Sequence, residues 1–109
     1  MATQGRLGAA DLAATTNTVV YTCPTQTFSV VAANVLNRTT SAISVRLAIS
    51  TGASPGNAEY IEYDIELPSN GVLERSGIVL SANQTLVAYA SGTGISVNVY
   101  GIETDISAA

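Results

Sequence analysis

The feature that most constrains the fold of this chain is a strict alternation of apolar and polar residues with a period of two. It is clearest in SAISVRLAIS, residues 41–50, where every second side chain is a large aliphatic one: Ile43, Val45, Leu47 and Ile49. Side chains on a β-strand point alternately to opposite faces, so the pattern predicts a strand with one buried and one solvated face. A helix would need apolar residues three and four apart, and no segment sustains that spacing.

The same alternation returns along the chain. It is regular at 60–67 and in GISVNVYGI at 94–102, and weaker at 18–22, 27–36, 72–80 and 85–90. Turn-forming residues separate these segments, among them TGASPGN at 51–57 and PSNG at 68–71, whose Asn-Gly pair suits the positive φ of a tight hairpin turn. Seven or eight short strands at this spacing predict an all-β fold, an antiparallel β-sandwich of jelly-roll or immunoglobulin-like type.

The first sixteen residues lack this alternation and contain Gly5 and Gly8. We therefore expect residues 1–16 to form an extended N-terminal arm and residues 17–109 to form the β-sandwich domain. Such an arm either frays or docks on a neighbouring subunit, and Arg6, Leu7 and Leu12 supply a cation and two apolar side chains for docking. The residues after Ile102 are expected to form a short solvated end.

Composition bears on what such a sandwich can bind. Charged residues make up 11% of the chain, against roughly 25% in an average soluble domain. The surface must then consist largely of small neutral residues, which lose little desolvation energy when another subunit covers them. This composition fits two alternatives equally well: a subunit of an assembly, and a soluble domain with a plain surface.

Several classes of partner are disfavoured. The net charge is −4, and the only cations are four arginines, well apart in sequence, which argues against nucleic acid. No stretch approaches the roughly 20 apolar residues that cross a bilayer, so we expect no membrane partner and a soluble chain made in a cytoplasm. The single Cys23 has no histidine to activate it and is expected to be a buried small hydrophobe. The Asn37-Arg38-Thr39 match to the glycosylation pattern is interpreted as chance.

Three carboxylates, Glu62, Asp64 and Glu66, recur at every second position of one predicted strand. Residues two apart on a strand are separated by roughly 6.5–7 Å, so these groups would form a row on one face. A calcium site gathers its oxygens from a curled loop, and zinc prefers His or Cys ligands, so a row predicts neither metal. The chain also lacks the histidine of a Ser-His-Asp triad and the lysine of a phosphate-binding loop. We expect no metal, no cofactor and no enzymatic activity, and interpret the row as a solvated or interface-facing acidic surface.

Longer segments carry a family resemblance. NVLNRTTSAISVRL at 34–47, EYIEYDIELPSNGVLERSGIVL at 59–80 and QTLVAYASGTGISVNVYGIE at 84–103 resemble small virion structural proteins of tailed bacteriophages, cyanophages among them. The opening GRLGAADLAATTNTVVYT at 5–22 is similar to the start of such proteins, so the resemblance covers nearly the whole chain. It implies a β-sandwich that decorates a particle: a capsid cement or decoration protein, or alternatively a component of the tail, neck or fibre that contacts the host surface. It carries over no individual site.

The resemblance leads to a specific expectation. A cement protein would bind the major capsid protein at the joints of the head shell, as a homo-oligomer, with a trimer favoured, on the capsid surface of the virion. The loops TGASPGN and SGTGIS offer no exposed aromatic or charged residues, which favours cement over receptor binding. The expected docking elements are the arm, the acidic row and Arg75, that is Arg6, Leu7, Leu12, Glu62, Asp64, Glu66 and Arg75. Arg75 could alternatively form a local ion pair with Glu74.

Overall fold

Eight antiparallel β-strands in two layers make up the described part of the chain. The computed structural model describes residues 3–106 of the chain. The strands are β1 (Thr3–Asp11), β2 (Thr18–Thr22), β3 (Thr27–Asn37), β4 (Ile43–Ser50), β5 (Tyr60–Leu67), β6 (Val72–Leu80), β7 (Thr85–Ala90) and β8 (Ile95–Asp105), and one turn of 3-10 helix, Asn57–Glu59, precedes β5. The prediction of an antiparallel β-sandwich is confirmed.

The order of the strands identifies the sandwich as a jelly roll. The first sheet has the order β1-β8-β3-β6 and the second the order β2-β7-β4-β5. The pairs β1–β8, β2–β7, β3–β6 and β4–β5 are nested like the two halves of one long hairpin. The pairs β3–β8 and β4–β7 then close that hairpin on itself. Two four-stranded sheets joined in this way are the double Greek key of a jelly roll, and the order differs from that of immunoglobulin domains.

The core lies between the two sheets and is built by the alternation seen in the sequence. Along β3 every second residue is buried, and its odd-numbered side chains face the second sheet. The largest fully buried side chains of this core come from both layers: Val35, Val45, Leu47, Leu80, Leu86, Ile95, Val97 and Val99. Cys23 is fully buried, as predicted.

The pairing is regular in the middle of each sheet and irregular at its edges. The central ladders β3–β8 and β4–β7 run without a register shift. The ladders that involve the edge strands β1, β2, β5 and β6 each contain at least one shift. A bulge bends and twists an edge strand, which makes it a poor template for a strand of another molecule.

The predicted N-terminal arm is a strand instead. Residues 3–11 form β1 at the edge of the first sheet, paired with β8. Arg6 lies opposite Tyr100 and Gly8 opposite Val99, so Leu7 is an extra, bulged residue. This bulge, together with the glycines, hides the strand from a search for period two. Residues 1 and 2 of the predicted arm and residues 107–109 of the predicted domain lie outside the described residues.

The C-terminal end also differs from expectation, because β8 continues to Asp105. Glu103, predicted to be solvated, is buried between the sheets and accepts a hydrogen bond from the Tyr21 hydroxyl. The alternation fails to reveal this because a carboxylate stands where an apolar residue would be expected.

The PSNG segment forms the predicted tight turn but does not form a hairpin. Asn70 has a φ of 60°, and the Gly71 amide donates to the Pro68 carbonyl at 2.8 Å. The turn joins β5 of the second sheet to β6 of the first, so the strands on either side of it do not pair. Asn37, which is fully buried, holds this corner: its Nδ2 donates to the carbonyls of Ser41, Leu67 and Pro68 at 2.8, 3.0 and 3.1 Å.

Candidate functional surfaces

The three expected docking residues of the arm have different environments. Leu12 belongs to the core, and its amide donates to the Ile95 carbonyl at 2.9 Å. Leu7 is half-buried against the same core. Arg6 is exposed on the outer surface of the first sheet, where its Nη1 donates to Asn98 Oδ1 at 3.4 Å. Of the three, Arg6 is the one whose side chain is exposed, whereas Leu7 is half-buried and Leu12 is buried.

The predicted row of carboxylates is broken by a bulge in β5. Val45 lies opposite Ile65, but Leu47 lies opposite Glu62, so β5 contains one extra residue between these pairs. Asp64 adopts a φ of 51° there. The extra residue reverses the alternation, and Glu62 turns to the same side as Leu47, toward the space between the sheets. Asp64 and Glu66 remain exposed.

Glu62 and Arg75, both predicted to contact a partner, bind each other. Arg75 Nη1 donates to Glu62 Oε2 at 2.7 Å, and the Glu62 side chain is only 17% exposed. The two residues lie on β5 and β6, the neighbouring edges of the two sheets, so the ion pair bridges the layers at the open side of the sandwich. Glu74 accepts a hydrogen bond from the Tyr100 hydroxyl instead of pairing with Arg75, and this bond raises the pKa of Tyr100.

The same bulge builds a cluster around Arg46 on the outer surface of the second sheet. Arg46 Nε donates to Asp64 Oδ1 at 2.5 Å, and this hydrogen bond raises the pKa of Arg46. The guanidinium carbon lies 4.2 Å from the ring centre of Tyr63 and 4.5 Å from that of Tyr89, within range of cation–π attraction. Tyr60 meets Tyr63 edge to face, with ring centres 4.9 Å apart. A period of two counted without interruption through residues 60–67 would place Tyr63 on the inward side with Ile61 and Ile65, and the bulge turns it outward.

A shallow cleft of about 490 Å³ opens beside this cluster and is lined by Asn57, Tyr60 and Tyr63. We call these three residues the tyrosine cleft. The loop that carries Asn57 is anchored at Glu59, whose Oε1 accepts hydrogen bonds from the Gly56 amide at 2.8 Å and the Ser50 hydroxyl at 2.9 Å. The strand β5 therefore positions Tyr60 and Tyr63, and the anchored loop positions Asn57.

Exposed apolar side chains gather on the outer surface of the first sheet. Val30 lies directly opposite Val79 on one side and Ile102 on the other, so these three form a row across β6, β3 and β8. Phe28 and Tyr100 extend the row on the same face, two residues along their strands. We call Phe28, Val30, Val79, Tyr100 and Ile102 the apolar face; their exposed fractions are 37, 37, 58, 38 and 48%.

A small buried polar cluster lies at one end of the sandwich. The Tyr21 hydroxyl donates to Glu103 Oε2 at 2.5 Å, and burial together with this hydrogen bond raises the pKa of Tyr21 well above its ordinary value. Within residues 3–106, the Ser29 hydroxyl oxygen is buried without a hydrogen-bond partner. These groups are enclosed in the core and offer no route for a ligand.

Within residues 3–106, no group of three or more His, Cys, Asp or Glu side chains is arranged to hold a metal ion. No helix in that same part of the chain has the length and apolar character needed to cross a membrane.

Comparison with known proteins gives one distant similarity. No protein-family model and no curated protein matches the chain. Among solved structures, a pentameric capsid protein isolated from metagenomic phage sequences is similar at 19% sequence identity, with a TM-score of 0.38. The match covers 92% of this chain and 64% of that chain, so the chain spans less than two thirds of the neighbour's length. The jelly-roll assignment rests on the strand order of this chain itself.

Proposed function

We propose that this chain is a non-enzymatic capsid cement or decoration protein of a bacteriophage, bound to the major capsid protein at the joints of the head shell. It acts on the virion surface as a homo-oligomer, with a trimer at a local three-fold axis as the favoured form. The observation that carries the proposal is the apolar face. Monomeric proteins rarely leave large apolar residues in contiguous exposed groups, and such groups commonly mark surfaces that another protein covers.

The make-up of this surface resembles that of a protein interface. Its centre, the row of Val79, Val30 and Ile102, contains no ionisable group, and polar side chains lie at its border. Arg6 lies opposite Tyr100 at one border, and Glu74 accepts the hydrogen bond from Tyr100 at another. An apolar centre with a polar rim is the usual anatomy of an interface. Of the residues expected from the sequence to bind a partner, Arg6 lies where it can contribute.

The irregular edges of the two sheets favour docking through the face of a sheet over docking through an edge strand. Because bulges interrupt all four edge ladders, a partner cannot easily extend either sheet with a strand of its own. Covering the apolar face requires no such pairing. The low charge of the chain, 11% of residues, also keeps the desolvation penalty of a broad contact small.

The alternative location, in the tail, neck or fibre, is favoured by a different observation. The sequence suggested that the loops present no aromatic residues, yet the tyrosine cleft places Tyr63, 55% exposed, beside Asn57 of the TGASPGN loop. Exposed aromatic rings are frequent where a protein contacts a host surface.

The first experiment is to image intact virions and locate the density of this chain. Cement predicts hundreds of copies over the joints of the head lattice, with the apolar face turned toward the shell. A few copies at the neck or tail would reject cement and favour the alternative.

A pair of matched variants tests the docking surface. Val30 on the apolar face and Val19 on the outer surface of the second sheet are 37% and 38% exposed. We expect Val30→Asp to weaken binding to shells that lack this protein by more than about 30-fold, because a carboxylate is buried without a partner. Val19→Asp should bind like the wild type. Equal binding by both variants would exclude the apolar face as the docking surface.

A further inference from the structure

We propose that the tyrosine cleft is a binding site for an uncharged saccharide. The inference is independent of the capsid role, because the cleft lies on the outer surface of the second sheet and the apolar face lies on the outer surface of the first. A subunit that docks by the apolar face presents the tyrosine cleft away from the surface it covers.

The aromatic residues of the cleft form a fixed platform. Tyr63 is 55% exposed, yet its ring is held by the Arg46 guanidinium at 4.2 Å and by the Tyr60 ring at 4.9 Å. A ring that is immobilised before binding loses little conformational entropy when a ligand stacks on it. Tyrosine combines an apolar ring face with a polar hydroxyl, which suits a ligand that has both characters.

Polar side chains that can bond to hydroxyl groups lie in the cleft and next to this platform. Asn57 lines the cleft and provides an amide that both donates and accepts hydrogen bonds. Asp64, next to Tyr63, keeps 49% of its side chain exposed although it pairs with Arg46. Glu59 fixes the loop through Ser50 and Gly56, so the Asn57 side chain starts from a defined backbone position.

The charges of the cluster exclude ionic ligands. A cation on Tyr63 would meet the Arg46 guanidinium, which already lies over that ring at 4.2 Å. An anion would meet the carboxylate of Asp64 and the electron-rich faces of the rings. The Arg46 charge itself is matched by Asp64 at 2.5 Å. A ligand with an apolar face, several hydroxyl groups and no charge fits, and a hexose has that chemistry.

The test is a titration followed by amide chemical shifts in two-dimensional NMR spectra of the full chain. The probes are the methyl glycosides of glucose, mannose, galactose and N-acetylglucosamine. We expect at least one to give saturable shifts at the cleft residues, with a dissociation constant in the low millimolar range, as an open site of two rings gives for a ligand of roughly 13–16 non-hydrogen atoms.

Tyr63→Ala should weaken this binding by about tenfold or more, because it removes the stacking surface. Tyr100→Ala is the matched control, since Tyr100 is an exposed tyrosine on the opposite sheet, and it should bind like the wild type. Asn57→Ala lies on an exposed loop and leaves the Arg46 cluster intact, so it tests the cleft even if Tyr63→Ala disturbs the fold. It should weaken binding about threefold or more.

Three results would overturn the proposal. One is the absence of saturable shifts with all four glycosides up to about 50 mM, well above the expected dissociation constant. Another is an equal loss of binding in Tyr63→Ala and Tyr100→Ala. The third is saturation by tetramethylammonium chloride but by no glycoside, which would assign the tyrosines to a cation cage.

Discussion

At the scale of single residues, the fold depends on buried polar side chains that a hydrophobic pattern cannot reveal. Asn37 and Glu103 each occupy a position that the alternation reserves for an apolar residue. Each is satisfied by a hydrogen-bond partner far away in sequence: Asn37 by Leu67 and Pro68, and Glu103 by Tyr21. The sequence placed Asn37 beyond its predicted strand and Glu103 in a solvated end, and the partners of both residues emerge only from the three-dimensional pairing.

Asn37→Ala should lower the free energy of unfolding by about 2–4 kcal/mol, because it leaves buried carbonyls at the β5–β6 corner without a donor. Chemical denaturation of the wild type and the variant measures this difference in the free energy of unfolding. Asn34→Ala, on the outer surface of the same strand, is the control and should change stability by less than about 0.5 kcal/mol. Equal effects of the two variants would mean that the corner is held by other contacts.

Tyr21→Phe should destabilise the protein by about 1–2 kcal/mol at pH 7, because the buried Glu103 carboxylate loses its donor. The pKa of Tyr21 is raised above its ordinary 10.0 in the folded state, so folding favours the neutral hydroxyl. That contribution is fully present below about pH 10 and declines as the pH rises further.

Denaturation curves between pH 7 and 11 check this, and the stability gap between wild type and Tyr21→Phe should narrow above about pH 10. Tyr100→Phe removes an exposed hydroxyl and should leave the stability at pH 7 close to that of the wild type. A gap for Tyr21→Phe that stays constant up to pH 11 would contradict the assignment.

At the scale of elements, period two predicted the positions of seven strands and missed the one that contains glycines and a bulge. Predicted and observed bounds coincide for β2, β5, β6 and β7. Bulges explain both main errors: one hides β1, and the other turns Tyr63 outward and Glu62 inward. A single extra residue reverses every side chain beyond it, and nothing in the local composition of β5 marks where that residue stands.

Deleting Gly77 should make the protein associate with itself. Gly77, with a φ of 70°, lies in the bulge of β6, and its removal gives that edge strand an uninterrupted alternation. A regular edge is a better template for a second chain, so light scattering should increase with protein concentration. Gly77→Ala keeps the bulge and is the control: it should cost about 1 kcal/mol of stability without added association. Equal scattering by the deletion and the wild type would show that the bulge does not protect the edge.

At the scale of the whole molecule, the chain separates two chemically different surfaces by the thickness of a sandwich. The apolar face has no ionisable group at its centre, and beside the tyrosine cleft the charges of Arg46 and Asp64 neutralise each other. The choice between jelly-roll and immunoglobulin topology could not be made from the sequence, since alternation tells which side of a strand is buried but not which strands are neighbours. For the same reason, neither the apolar face nor the tyrosine cleft could be located from the sequence.

Shell binding through the apolar face should depend little on salt. Raising sodium chloride from about 0.15 to 1 M shortens the screening length from about 8 to 3 Å but leaves apolar contacts intact, so the affinity should change by less than about threefold. Arg6→Ala, at the rim, should remove most of whatever salt dependence is seen. A loss of tenfold or more in salt would indicate docking through exposed charges such as Glu66 instead.

The nested pairing of the jelly roll also sets an order of events during synthesis. The innermost pair, β4–β5, is complete once residue 67 has left the ribosome, whereas β1 has to wait for β8, the last of the described strands. Among the described strands, the one made first therefore waits longest for its partner. A nascent chain released before residue 95 leaves both β1 and the central strand β3 without β8. Pairing of the eleven-residue strand β8 with β1 and β3 therefore completes the first sheet.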